Sequence, residues 1–170
     1  MTSQSDHSTP VTQIIAALQA GQMNQAARLS ADWVARLQAQ AEVSPQLADA
    51  LHLRGMVWRE LGRFPEALAD MRQAAMMEAD NAMLWLHIAQ VEQLQGDFSA
   101  ATDSLRRATG LNPALEEAWF RLGVVLQALQ SWEEAREAWE RLLALPGVLP
   151  QNEVLVRNRL GIALRHLDQL

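Results

Sequence analysis

Residues 82–115 read AMLWLHIAQVEQLQGDFSAATDSLRRATGLNPAL, and this stretch decides the fold because the chain repeats it. A shift of 34 residues in either direction returns the same kinds of side chain. Gly55, Ala89 and Gly123 form one small column, and Ala67, Ala101 and Ala135 form another. Phe64, Phe98 and Trp132 form an aromatic column. Leu51, Trp85 and Trp119 are bulky in step, as are Met71, Leu105 and Trp139. Gly62 and Gly96 agree, with Gln130 third; Ala74 and Ala108 agree, with Leu142 third. Seven columns aligned over three copies mark an internal repeat.

Each copy resembles a tetratricopeptide repeat, which implies two helices, A and B, joined by a tight turn. A glycine inside a helix costs about 1 kcal/mol against alanine. Its recurrence at 55 and 123 is reasonable if helix B must approach helix A closely there. Ala67, Ala101 and Ala135 are the facing small positions on helix B. Tryptophans bury roughly 150–250 Å² each and supply much of the core between helices. One pair cannot bury its own apolar face, so the copies must stack. The copies run 48–81, 82–115 and 116–149.

The flanks extend the array. Residues 1–9 form a polar tail, and 10–47 a degenerate first pair with Ile14, Gly21, Ala26 and Trp33 in the repeat's columns. Its second helix is expected over about Gln22 to Gln40. Ala41 to Leu47 breaks the period, with Ser44 expected as helix cap and Pro45 as first helical residue. Pro146 to Pro150 reads as a loop. Within 150–170 a last A-type helix is expected from about Asn152 to His166, with Gly161 in the small column. It either caps the stack or opens onto further chain.

Composition removes several chemistries. There is no cysteine, so thiolate nucleophiles and cysteine-held metal clusters are excluded. Lysine is absent as well: all 14 basic residues are arginine, which excludes phosphate-loop and Schiff-base lysines. The net charge of −6 argues against nucleic acid as partner. No run approaches the roughly twenty apolar residues that span a bilayer, and no secretory signal is visible. A cytoplasmic location without membrane association is therefore expected.

The columns together resemble the tetratricopeptide repeat family, and the second copy fits best: Trp85, Ala89, Gly96, Phe98, Ala101, Ala108 and Pro113. The resemblance implies an all-α fold, a right-handed α-solenoid of stacked antiparallel helix pairs. It implies a shape rather than a chemistry. The expected activity is protein–protein interaction, with no catalysis and no cofactor.

In such arrays the A helices line a concave groove. Carried over, the groove residues are His52, Met56, Met83, Leu86, His87, Gln90, Phe120, Arg121, Val124, Arg159, Ile162 and Arg165. The apolar members suit a peptide or protein segment, and methionine suits adaptable surfaces. Arg121, Arg159 and Arg165 would orient acidic groups of the partner. Chaperone-binding members of the family carry a carboxylate clamp. Its positions fall here on His52, Met56, His87, Glu117 and Arg121, of which only Arg121 matches, so binding of chaperone tails is not expected.

Three further expectations complete the reading. His52, His87 and Glu117 are weighed as a metal site and set aside for lack of ligand spacing. Arg54 and Glu92 stand in apolar columns and are expected to pair with each other, or with charges between the first two repeats. The rival functions are a substrate-recruiting domain at the front of a bacterial sulfotransferase, glycosyltransferase, methyltransferase or hydroxylase, and a secretion chaperone. Homodimerisation is a further option.

Overall fold

The computed structural model describes residues 9–40, 44–146 and 150–168. Among them it has nine helices and no strand. The chain divides into two compact units, 1–79 and 80–170.

The first unit holds α1 (Pro10–Gln19), α2 (Met23–Gln38), α3 (Leu47–Glu60) and α4 (Phe64–Met77). Each packs on the next in chain order. Thr9 caps α1 by accepting from the Thr12 amide at 3.3 Å, and Pro10 fits the first turn because it has no N–H to satisfy. Ile14, Ala17, Ala26, Trp33 and Val34 are buried between the helices. α2 ends at Gln38, two residues short of the expected end. α3 opens at Leu47, not at Pro45. Ser44 is not its cap. Its hydroxyl accepts from the Gln46 amide at 3.3 Å, and its carbonyl accepts from Leu47, which closes a turn around Pro45 before the helix starts. The expected tail lies, apart from Thr9, outside the described residues, as do Ala41 to Val43.

The second unit holds α5 (Ala82–Leu94), α6 (Phe98–Leu111), α7 (Glu116–Ala128), α8 (Trp132–Leu143) and α9 (Pro150–Leu167), again packed in sequence. Asn81 caps α5 and Asp97 caps α6 through their side chains. The core runs through Leu86, Ala89, Ala101, Leu105, Leu122, Val125 and Ala135. A second cluster of Trp139, Leu142 and Val156 joins α8 to α9. Gly147, Val148 and Leu149 of the expected loop lie outside the described residues.

The turn from A to B is built alike in four pairs. Gly21, Gly62 and Gly96 have φ of 71°, 71° and 79°, and Gln130 has 59°. In each case the residue after the left-handed one donates back five residues, as Arg63 does to Trp58 at 2.8 Å and Ser131 to Leu126 at 2.9 Å. This Schellman arrangement satisfies helix-end carbonyls, and glycine enters it without steric cost.

The small column of helix A is a close approach. A Cβ on Gly123 would stand 2.5 Å from Trp139 Cε2, and one on Gly55 would stand 2.7 Å from Met71 Cγ. The repeat therefore couples two columns: a glycine on A accepts the bulky residue of the facing B helix.

The charges in apolar columns are resolved inside each pair, which corrects the expected pairing between repeats. Arg54 on α3 bonds Asp70 on α4, and Glu92 on α5 accepts from Ser104 on α6 at 2.7 Å.

Candidate functional site

The residues expected to line a groove come from A helices, and each unit presents its own set. In the first unit, His52 and Met56 are half-buried on α3, one turn apart. Burial holds His52 below the ordinary imidazole value of 6.5, while Asp49 and Glu78 pull it up less strongly. His52 is thus biased towards the neutral form.

In the second unit, α5, α7 and α9 are tied side by side by polar side chains. Gln90 Nε2 on α5 donates to Glu117 Oε1 on α7 at 3.1 Å. Arg121 Nε donates to the same oxygen at 2.9 Å, and its Nη1 donates to Gln93 Oε1 at 3.2 Å. Gln127 Nε2 on α7 reaches the Arg159 carbonyl on α9 at 3.0 Å. Gln90 and Gln93 sit three apart on α5, and Glu117 and Arg121 four apart on α7, spacings that place each two on one face.

Around this polar ladder stand the apolar members. Met83 is exposed, and Phe120, Val124 and Ile162 are half-buried. Phe120 is steadied from behind by the Trp139 ring, edge to face, with centroids 5.5 Å apart. His87 and Gln90 are half-buried; Arg159 and Arg165 are exposed. Leu86 departs from the expectation. It is fully buried in the core with Leu105 and Leu122, because its column turns into the helix stack, and so offers no surface.

The electrostatics also differ from the sequence reading. Glu117 does not simply oppose an incoming carboxylate. It engages Arg121 across one helical turn, so that Arg121 is already committed. The spacing of four residues between them was the signal that could have found this pair. Arg165 turns its Nε to the Gly161 carbonyl at 3.2 Å. Gln127 Oε1 is buried with no hydrogen-bond partner among the described residues.

Among the described residues no three His, Cys, Asp or Glu side chains gather as a metal-holding group. Among the same residues no helix is long and apolar enough to cross a membrane. The arrangement on the A helices offers apolar contact, amide donors and acceptors, and guanidinium groups, which is the chemistry of binding a polypeptide.

Comparison with known proteins follows this geometry. Family models described as tetratricopeptide repeat match residues 47–75, 83–115 and 116–145. Tetratricopeptide repeat protein 36 of Homo sapiens is 28% identical over 125 residues, covering 69% of this chain and 66% of that protein. The matched stretch thus spans just under two thirds of the relative's length. Among solved structures, a tetratricopeptide repeat protein from Parabacteroides merdae superposes with a TM-score of 0.79 at 18% identity, over 94% of this chain and 60% of that one. The first such domain of Spaghetti, bound to the HSP90 peptide SRMEEVD, gives a TM-score of 0.64 at 25% identity, over 76% of this chain and 99% of that one. The fold is accordingly an all-α solenoid of this type.

Proposed function

The chain belongs to the tetratricopeptide repeat family, and on that premise we propose that it is a non-enzymatic interaction scaffold whose A-helix face takes a peptide or protein segment. The observation that carries this reading is the apolar set Met83, Phe120, Val124 and Ile162 beside a prearranged polar ladder of Gln90, Gln93, Glu117 and Arg121. Prearranged side chains bind at lower entropic cost than free ones.

In this reading apolar side chains of the partner cover Met83, Phe120, Val124 and Ile162. Amides of the ladder meet its backbone or polar groups. Arg159 supplies the orienting charge: it is exposed and enters no ion pair among the described residues. Arg121 has a smaller role than the sequence suggested, since Glu117 holds it. The same pair speaks against capture of chaperone tails of the kind bound by the Spaghetti domain, because Glu117 occupies a clamp position with negative charge. His52 and Met56 are proposed as the first unit's own contribution to binding.

The test uses surface variants so that the fold is preserved. Met83→Glu and Arg159→Glu should each lose partners that the parent captures from native lysate, with helical content and unfolding midpoint unchanged. Identical capture by parent and both variants would reject the A-helix face as the binding surface. Tight binding of an EEVD-ending peptide would reject the exclusion of chaperone tails.

A further inference from the structure

Among the described residues α9 repeats the A-helix pattern, with no helix packed on its B side. A shift of 38 residues sets α9 on α7. Val156 then falls on Ala118 and Ala163 on Val125, and all four are buried. On the other side the two helices part. Leu126 is 3% exposed, whereas Leu164, in the same column, is 41% exposed. A Cβ on Gly123 would strike Trp139, whereas one on Gly161 would meet nothing within 4 Å. Among the described residues nothing fills on α9 the slot that α8 fills against α7.

The stripe around that slot is self-complementary. Arg157, Gly161, Leu164 and Asp168 lie four, three and four residues apart, so they share one face of the helix. An antiparallel copy of α9, centred at the level of Ile162 and Ala163, sets each Gly161 opposite the partner's Leu164. The same register sets each Arg157 opposite the partner's Asp168. A bulky side chain thus meets a notch twice, and opposite charges meet twice. We infer that this chain forms a two-fold homodimer through α9, with Gly161 and Leu164 at its centre and Arg157 and Asp168 at its ends.

The rest of α9 supports that face. His166 stacks on Trp132 of α8, with centroids 3.9 Å apart and planes 7° from parallel, which fixes the end of the helix. Glu153 holds Arg157 through bonds of 3.1 and 2.7 Å, and the Arg157 side chain keeps 66% exposure, which leaves room for a second carboxylate. One helix pair buries less than the roughly 1,200 Å² of a stable complex, so the association is weak, with a dissociation constant of order 100 µM. The inference does not depend on the proposed binding face, because Arg159 and Ile162 lie off the stripe.

Sedimentation of the full chain tests it. The weight-average mass should rise above the 18.9 kDa monomer as concentration climbs through about 100 µM. Leu164→Glu should remain monomeric with unchanged circular dichroism. Asp168→Arg should weaken association about tenfold, and adding Arg157→Asp should restore it. The cysteine-free chain allows a register test: Gly161→Cys mixed with Leu164→Cys should cross-link faster than either alone. A monomer at every concentration, a dimer that survives Leu164→Glu, no rescue by the charge exchange, or equal cross-linking would each overturn the inference.

Discussion

Arg54 and Asp70 are joined by two parallel hydrogen bonds of 2.7 Å each, Nε to Oδ2 and Nη2 to Oδ1. Trp58 adds a third, from Nε1 to Oδ2 at 3.1 Å. The carboxylate is 10% exposed and the guanidinium side chain 21%, so the pair sits at the edge of the helix-pair interface. One repeat later the same two columns, Trp58 and Asp70, hold Glu92 and Ser104, again hydrogen-bonded. One further on they hold Leu126 and Ala138. The repeat thus tolerates a polar tie or apolar contact at one place, provided both partners change together.

Removing one partner of the tie should therefore be worse than removing both. Arg54→Leu is expected to cost about 2–4 kcal/mol, because Asp70 stays buried with a single donor. Arg54→Leu combined with Asp70→Ala should recover most of that loss. Urea unfolding of the two single variants and the double variant measures the coupling. A harmless Arg54→Leu would show that the tie contributes nothing to stability.

The small column predicts an asymmetry between two glycines. Gly123→Ala should cost about 2–4 kcal/mol, since the new methyl meets the rigid indole of Trp139. Gly55→Ala should cost less, because Met71 is flexible and alanine favours the helix by about 1 kcal/mol. Thermal unfolding of both variants should rank them in that order.

Gln130 holds a left-handed turn that glycine holds in the other pairs. That conformation costs a residue with a side chain roughly 1–2 kcal/mol. Gln130→Gly is expected to stabilise the second unit by about 0.5–1 kcal/mol, after the greater freedom of glycine in the unfolded chain. Gly96→Gln should do the opposite. Chemical denaturation measures both.

His52 predicts a pH dependence. Its folded-state affinity for protons is lowered, mainly by burial, from the ordinary value of 6.5. The unfolded chain then binds the proton more readily than the folded one, so stability falls as pH drops through 6.5 and below. Melting temperature should decline from pH 7 to pH 5.5, and His52→Gln should flatten that decline. An identical pH profile in the variant would remove His52 as its cause.

The period of 34 made the helix pairs, their turns and their close approaches legible, because each rests on a side-chain size that recurs in step. Gly62, Gly96 and Gln130 share one such column at the turn, and Gly55 and Gly123 another at the close approach. Single departures from the period were not legible. Ser44 and Pro45 fit a helix start as well as a turn, and only the backbone bonds to Leu47 and Gln46 distinguish the two. Of the candidate site, Met83 and Arg159 are exposed, whereas Leu86 is buried in the core.

By itself the amino-acid sequence determined an all-α array of helix pairs, since periodic size and hydrophobicity dictate which faces must be buried and how closely helices can meet. The tertiary structure alone decided that Arg54 meets Asp70, that Arg121 reaches Gln93, and that Leu86 is lost to the core while Leu164 is left outside it. The physical reason is range. Helix formation and turn closure depend on neighbours within a few residues, whereas the burial and pairing of one side chain depend on residues 12, 16 or 28 positions away that only packing brings near.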